Sequence, residues 1–241
     1  NIFKNLFVLD LANNHFGDVS HAKKIIKEFS LIVKKNKVKA AVKFQLRDYK
    51  TFIHKSFIKS NDKYVKRFLE TKLTISEFRE LFNYVKKNKL QTACTPFDEN
   101  SVKVIENFKF DYLKIASVSS NDFTLLKRVI KNKIPKIIST GGLNLFEIDK
   151  VVRIMKKYKQ NFSLMHCISI YPSIDTDLQI SFIKKLKKRY PDVTIGWSTH
   201  ENPDSFMPSS LAKACGAEMF ERHIGINSKK YKLNQYSMVP S

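Results

Sequence analysis

Residues able to do chemistry recur along this sequence in short groups. They are Asp10 with Asn13, Asn14 and His15; Lys43 with Gln45; Thr95; Lys114 with Ser117; Ser139 with Thr140; His166 with Ser169 and Tyr171; Ser198 with His200; and Glu221 with His223. Lys43 and Lys114 give the sharpest signal, because each sits inside an apolar run (Ala-Val-Lys-Phe-Gln and Tyr-Leu-Lys-Ile-Ala). A buried ammonium is costly without a counter-charge, so both lysines are expected to point inward at a bound anion. Pairing with an interior carboxylate is the competing reading. Hydroxyls at Thr95, Ser117, Ser139 and Ser198 could complete a phosphate or carboxylate site, although a single serine in such a place is a weak sign. His200 and His223 offer two imidazoles that could hold Mn²⁺ or Zn²⁺ with positions left for water and substrate. Either histidine alone would ordinarily be structural, and their spacing is not specific.

The elements that must carry these groups alternate regularly. Short apolar, β-branched runs occur at 6–12, 40–44, 90–95, 112–116, 135–140, 162–169, 193–198 and 219–224. Between most of them lie stretches of helical period, such as Ala22-Ile25-Ile26-Phe29-Ile32-Val33 and Phe78-Leu81-Phe82-Val85. Thr74-Ile-Ser76-Glu77 and Ser120-Asn121-Asp122 offer capping residues ahead of such stretches. Strands that read as continuous hydrophobic segments between helices indicate parallel βαβ units. An open doubly wound sheet alternates in the same way, but eight units in 241 residues favour a closed (β/α)8 TIM barrel, one domain over residues 1–241. The polar groups then fall at the C-terminal strand ends, where barrel active sites lie. Residues 225–241 show no helical period, so an eighth outer helix is expected to be missing.

Composition narrows the class. A hydrophobic content of 43% supports a sizeable core, and no apolar run reaches the roughly 18–20 residues that span a bilayer. The start of the chain reads as a first strand rather than a signal peptide. Cys94, Cys167 and Cys215 are odd in number, widely spaced and without a CxxC pair, which suits a reducing, cytoplasmic setting. The formal charge of +22 is spread from end to end, in clusters such as Lys34-Lys35-Asn36-Lys37 and Lys184-Lys185-Leu186-Lys187-Lys188-Arg189. Clusters on the outer faces of amphipathic helices are ordinarily solvated, so no nucleic-acid partner and no membrane contact are expected. The field would still favour an anionic substrate.

Taken in order, the strand-end motifs resemble those of the sialic acid synthases. They are Asp10-Leu-Ala-Asn-Asn14-His15-Phe-Gly17-Asp18, Val42-Lys43-Phe44-Gln45, Cys94-Thr95-Pro96-Phe97, Leu113-Lys114-Ile115-Ala116-Ser117, Ile138-Ser139-Thr140-Gly141-Gly142, His166-Cys167-Ile-Ser169-Ile-Tyr171-Pro172, Ile195-Gly196-Trp197-Ser198-Thr199-His200 and Phe220-Glu221-Arg222-His223. Any one motif is weak, and the ordered set across nearly the whole chain is strong. The resemblance takes in pseudaminic and legionaminic acid synthases. It implies condensation of phosphoenolpyruvate with a sugar aldehyde to a 2-keto-3-deoxy sugar acid and phosphate. It further implies that Lys43, Thr95, Lys114, Ser117, Ser139 and Ser198 hold the donor, and that His200 and His223 hold a divalent metal, Mn²⁺ or Mg²⁺. Asn14, His15, Gln45, Ser169 and Tyr171 join these as substrate-binding positions. Asp10 handles or orients a proton where the family carries a glutamate.

Departures from the family pattern fall mostly on the acceptor side. Ser169 replaces an asparagine, Ser119 stands for an acceptor-binding glutamate, Ser-Asp-His has become Ser198-Thr199-His200, and a later Gly-Pro-Asp has become Lys232-Leu233-Asn234-Gln235-Tyr236-Ser237. They imply the same chemistry on a different sugar. The resemblance also implies a homodimer, and a C-terminal antifreeze-like domain that is absent from these 241 residues. Two other readings compete: a Schiff-base aldolase using Lys43 or Lys114, and a non-catalytic basic module for nucleic acid or an acidic polymer.

Overall fold

Buried parallel strands need apolar residues on both faces, which is why these runs show little two-residue alternation. The alternation is nonetheless what builds the site. In a computed structural model describing residues 1–240, eight parallel strands close into a barrel in sequential order. They are β1 (Leu6–Asp10), β2 (Lys39–Leu46), β3 (Gln91–Pro96), β4 (Tyr112–Ile115), β5 (Lys136–Ser139), β6 (Phe162–Cys167), β7 (Thr194–Ser198) and β8 (Met219–His223). Closure is made by β8 pairing with β1, Leu6 opposite Met219 and Asp10 opposite His223.

The barrel interior is packed by Leu6, Val8, Ala41, Ala93, Tyr112, Ile137, Met165 and Met219. A second, larger core lies between the outward faces of the strands and the surrounding helices, with Val42, Phe44, Leu113, Ile138, Leu164, Ile195 and Trp197 on the strand side. His166 belongs to that outer layer, its Nε2 2.9 Å from the Leu178 carbonyl and its ring against Trp197. It is therefore structural and has no place in the site.

Helices follow strands as expected. They are α1 (Val19–Lys35); α2 (Tyr49–Phe52), α3 (Lys63–Glu70) and α4 (Ile75–Lys87) in the long connection after β2; α5 (Glu99–Phe108); α6 (Phe123–Val129); α7 (Leu145–Lys157); α8 (Phe182–Arg189); and α9 (Met207–Ala214). The Thr74/Glu77 capping box forms at α4, and Asp122 caps α6 through the amides of Thr124 and Leu125. Short α2 and α3 are additions to the one-helix pattern, and α3 carries no buried residue.

Among the described residues no helix follows β8. The chain instead doubles back, with Met238 bridging Ile224 and its amide donating to the His223 carbonyl. Phe7 and Phe220 stack on the uncovered outer faces of β1 and β8. No described helix is long and apolar enough to cross a membrane.

Candidate active site

With Val8, Ala41, Ala93, Ile137, Met165 and Met219 pointing inward, the two-residue period sends Asp10, Lys43, Thr95, Ser139, Cys167 and Glu221 inward at the C-terminal strand ends. Lys114 on β4 and Ser198 on β7 join them around a cavity of about 390 Å³. A larger groove of about 600 Å³ lies outside the barrel, between α9 and the faces of β1 and β8. It holds no convergent set of catalytic groups.

The floor of the cavity is a chain of buried charges. Lys114 Nζ lies 2.5 Å from Glu221 Oε2, Lys43 Nζ lies 3.0 Å from Glu221 Oε1 and 2.8 Å from Asp10 Oδ2, and Asp10 Oδ2 lies 3.3 Å from His223 Nε2. The Ala12 amide also donates to Asp10 Oδ1 at 2.9 Å. Both lysines point inward as expected, and each meets a carboxylate, as the competing reading had it. Burial opposes ionisation of Asp10, yet Lys43, joined by the Ala12 amide, outweighs it and holds the carboxyl well below its usual range. Burial acts against the Lys43 charge and is overcome by Asp10 and Glu221, which push its pKa up. Lys114 is shifted the other way, because burial outweighs its single carboxylate partner.

His200 and His223 face each other edge to face, ring centroids 5.1 Å apart. Burial pushes His200 down to about 3 and His223 downward, so both imidazoles are neutral. His200 Nδ1 is 3.3 Å from the Ile168 carbonyl, and His223 Nδ1 is buried with no partner.

Hydroxyls enter from the far strands. Thr95 Oγ1 is buried without a hydrogen-bond partner, an unsatisfied group aimed into a polar cavity. Ser117 Oγ accepts from the Gly141 amide at 3.2 Å. A β-carbon at Gly141 would stand 2.5 Å from Ser169 Oγ and 2.7 Å from Ser117 Oγ, so only glycine lets these two hydroxyls converge. Ser139, Ser169, Gln45 and Tyr171 also line the cavity, and the Tyr171 ring lies 3.9 Å from that of His200.

Two expected substrate-binding residues lie elsewhere. Asn14 donates to the Ile224 carbonyl at 2.8 Å and to Ser237 Oγ at 3.0 Å, and its own carbonyl accepts from Asn234. Its amide is thus saturated in tying the loop after β1 to the segment after β8. His15 is buried beside it and accepts from the Gly17 amide through Nδ1. Neither lines the cavity. Ser119 is also turned away, while its exposed neighbour Val118 faces the opening.

The sequence reading named Glu221 beside His223 but gave it no role, although its place two residues before His223 on one strand put it on the same inward face. It also omitted Arg47, Arg67 and Tyr236, which line the cavity mouth. Arg47 and Arg67 come from the long connection after β2, and Tyr236 from the returning segment after β8. Nothing in a strand-end pattern marks them.

A parallel (β/α)8 barrel with paired lysines, carboxylates and neutral histidines at its C-terminal mouth defines a TIM-barrel enzyme-type site. A sequence model of the NeuB family matches residues 32–239, and the chain belongs to that family. It is 29% identical over 244 residues to the N-acetylneuraminate-9-phosphate synthase of Drosophila melanogaster, covering 97% of this chain and 63% of that protein. Among solved structures, one from Chromobacterium violaceum, provisionally described as spore coat polysaccharide biosynthesis protein E, is 40% identical with a TM-score of 0.96, covering 98% of this chain and 71% of the other. The N-acetylneuraminic acid synthetase of Leptospira borgpetersenii, solved with citrate, is 29% identical with a TM-score of 0.85, covering 97% and 78%. The chain spans a little under two thirds of the length of the first curated relatives it matches.

Proposed function

We propose that this chain condenses phosphoenolpyruvate with a sugar aldehyde, giving a nonulosonic-type 2-keto-3-deoxy sugar acid and phosphate. The observation that carries the reading is the cavity itself: two lysines, an unsatisfied threonine hydroxyl and converging serines at the mouth of a NeuB-family barrel. Lys43 and Lys114 contribute their remaining N–H donors to the donor's anionic groups, and Thr95, Ser117, Ser139 and Ser198 supply hydroxyls. Glu221 keeps the two ammonium groups charged and apart until the donor arrives. C3 of phosphoenolpyruvate forms a bond to the aldehyde carbon, whose oxygen becomes a hydroxyl. Water adds at C2, and the tetrahedral intermediate breaks its C2–O bond to release phosphate and leave the ketone. Asp10, ionised and held by Lys43 and the Ala12 amide, orients the water and accepts its hydrogen bond. Fixed charge and positioning supply most of the acceleration.

The residues at the mouth fit a divalent metal. His200 and His223 are neutral and adjacent, and the orphaned His223 Nδ1 is a buried nitrogen in need of a partner. They would hold the ion, Mn²⁺ or Mg²⁺, with Asp10 close by, although no group of three or more His, Cys, Asp or Glu is arranged as a ready-made cage among the described residues. A bound ion would supply Lewis-acid polarisation of an aldehyde oxygen. The three free cysteines suit a cytoplasmic setting. A homodimer belongs to the same proposal.

The test is phosphate release from phosphoenolpyruvate with Mn²⁺ and a panel of aldoses. Sugar-dependent release that chelator abolishes and His223→Ala lacks is expected. One observation favours the aldolase alternative at Lys114 alone, namely that burial lowers its pKa while Lys43 is driven upward. A borohydride-trapped adduct on Lys114 that persists in chelator would establish that reading instead.

A further inference from the structure

A metal-binding imidazole is ordinarily held by a hydrogen bond at the ring nitrogen that faces away from the ion. The pair at this mouth is weakly held in that way. His200 Nδ1 has the Ile168 carbonyl at 3.3 Å, and His223 Nδ1 is buried with no partner. Aromatic packing supplies the restraint instead. The Tyr236 ring lies 5.3 Å from His223 and 5.5 Å from His200, edge to face with both, and it packs against Tyr171 at 5.6 Å. Contacts between ring quadrupoles prefer particular angles, so they limit the torsion of each imidazole as well as its position.

Tyr236 belongs to a segment without regular structure, and such a segment needs anchors to present a side chain in one place. The anchor is Asn14, almost wholly buried. Its amide nitrogen donates to the Ile224 carbonyl at 2.8 Å and to Ser237 Oγ at 3.0 Å, so it grips the returning segment where it leaves β8 and again beside Tyr236. Asn234 closes the clasp. Its amide donates to Asn14 Oδ1 at 3.4 Å, while its own Oδ1 accepts from Ser237 Oγ at 2.8 Å and from the Tyr236 amide at 3.2 Å. A second tie lies further out, where the Tyr231 hydroxyl donates to Asp18 Oδ2 at 2.9 Å and its ring stacks on Phe16 at 4.8 Å.

We propose that Asn14 is a positioning residue that acts through Tyr236: its clasp on the returning segment holds the ring that fixes the orientation of His200 and His223. Asn14 then governs the histidine pair without lining the cavity. The consequence for metal affinity rests on the synthase reading of the same site; the positioning does not.

Nuclear magnetic resonance of the metal-free full chain, labelled with ¹³C at histidine Cε1, tests the positioning. Tyr236→Leu removes a ring current and moves the His200 and His223 resonances. Asn14→Ala changes no atom in contact with either imidazole, yet it should carry both resonances most of the way to their Tyr236→Leu positions. Ser237→Ala cuts one link of the clasp and should move them in the same direction by less. Resonances left at their wild-type places in both clasp variants would overturn the inference. Paramagnetic resonance titration of Mn²⁺ reads the consequence. Affinity is expected to be about 10-fold weaker in Tyr236→Leu and in Asn14→Ala, no weaker again in the double variant, and restored in Tyr236→Phe, which keeps the ring. Additive losses in the double variant would overturn the inference, as would unaltered affinity in Tyr236→Leu. A wild-type protein that binds no Mn²⁺ would overturn the metal part of the proposed function, and the histidine spectra would then decide the positioning by themselves.

Discussion

Lys114 and Glu221 meet at 2.5 Å inside the barrel, both almost wholly removed from solvent. Glu221 also reaches Lys43, so one carboxylate bridges the two ammonium groups that the proposed donor would engage. Removing it leaves two buried cations short of a partner, which costs about 3–5 kcal/mol in comparable buried pairs. Glu221→Gln should therefore lower the melting temperature of the free protein. Phosphoenolpyruvate should then raise it by more than in the wild type, because the donor replaces the lost charge. Thermal melts with and without phosphoenolpyruvate check this, and a smaller ligand-induced rise in the variant would contradict it.

The barrel and most of its strand-end residues were legible in the sequence because continuous apolar runs and helical periods are local patterns. Lys43 and Lys114 stood out since ammonium groups in apolar runs need an inward partner. The identity of that partner was not legible: Glu221 meets Lys114 across 107 positions of chain, a relationship only barrel closure creates. Asn14 misled for the same reason, because its partners Ile224 and Ser237 lie more than 200 residues away and use up its amide. Arg47, Arg67 and Tyr236 sit on connections, where no period fixes direction.

Gly141 lets two hydroxyls converge by having no side chain. Gly141→Ala would push its new methyl into Ser117 and Ser169. Donor affinity should fall about 10-fold or more, with thermal stability changed by no more than about 1–3 kcal/mol, the usual cost of overpacking. Calorimetric titration with phosphoenolpyruvate provides the check; unaltered affinity would remove Ser117 from the donor site.

His15 is buried among cations, and burial first, then Arg47, pushes it down to about 4. The unfolded chain takes up a proton near pH 6.5 that the folded protein refuses until about pH 4. Stability is therefore full above pH 6.5 and falls as pH drops from 6.5 toward 4, by up to about 3 kcal/mol from this group. Urea titrations across that window should show a shallower slope for His15→Asn, which keeps an acceptor for the Gly17 amide without a titrating ring. An unchanged slope would assign the acid sensitivity to other groups.

Glu201 and Arg222 form a buried ion pair directly behind the two histidines, Glu201 following His200 and Arg222 preceding His223. Arg222 also donates to the Glu201 carbonyl at 2.9 Å, and Thr199 donates to the Glu201 carboxylate. The pair ties the end of β7 to the end of β8 and so sets the spacing of the imidazoles. Arg222→Met should weaken Mn²⁺ binding about 10- to 100-fold, as loss of an outer partner typically does, and Arg222→Lys should restore part of it. Paramagnetic resonance titration of Mn²⁺ reads this directly; equal affinities in all three proteins would make the pair purely structural.

The most direct test of the proposed reaction follows the bridging oxygen of phosphoenolpyruvate. With that atom labelled by ¹⁸O, and with aldose and Mn²⁺ present, the account predicts that phosphate appears only when the aldose is added and carries the label away, because the C2–O bond is the one broken. Label retained on the carbon product, or phosphate released without any aldose, would contradict it.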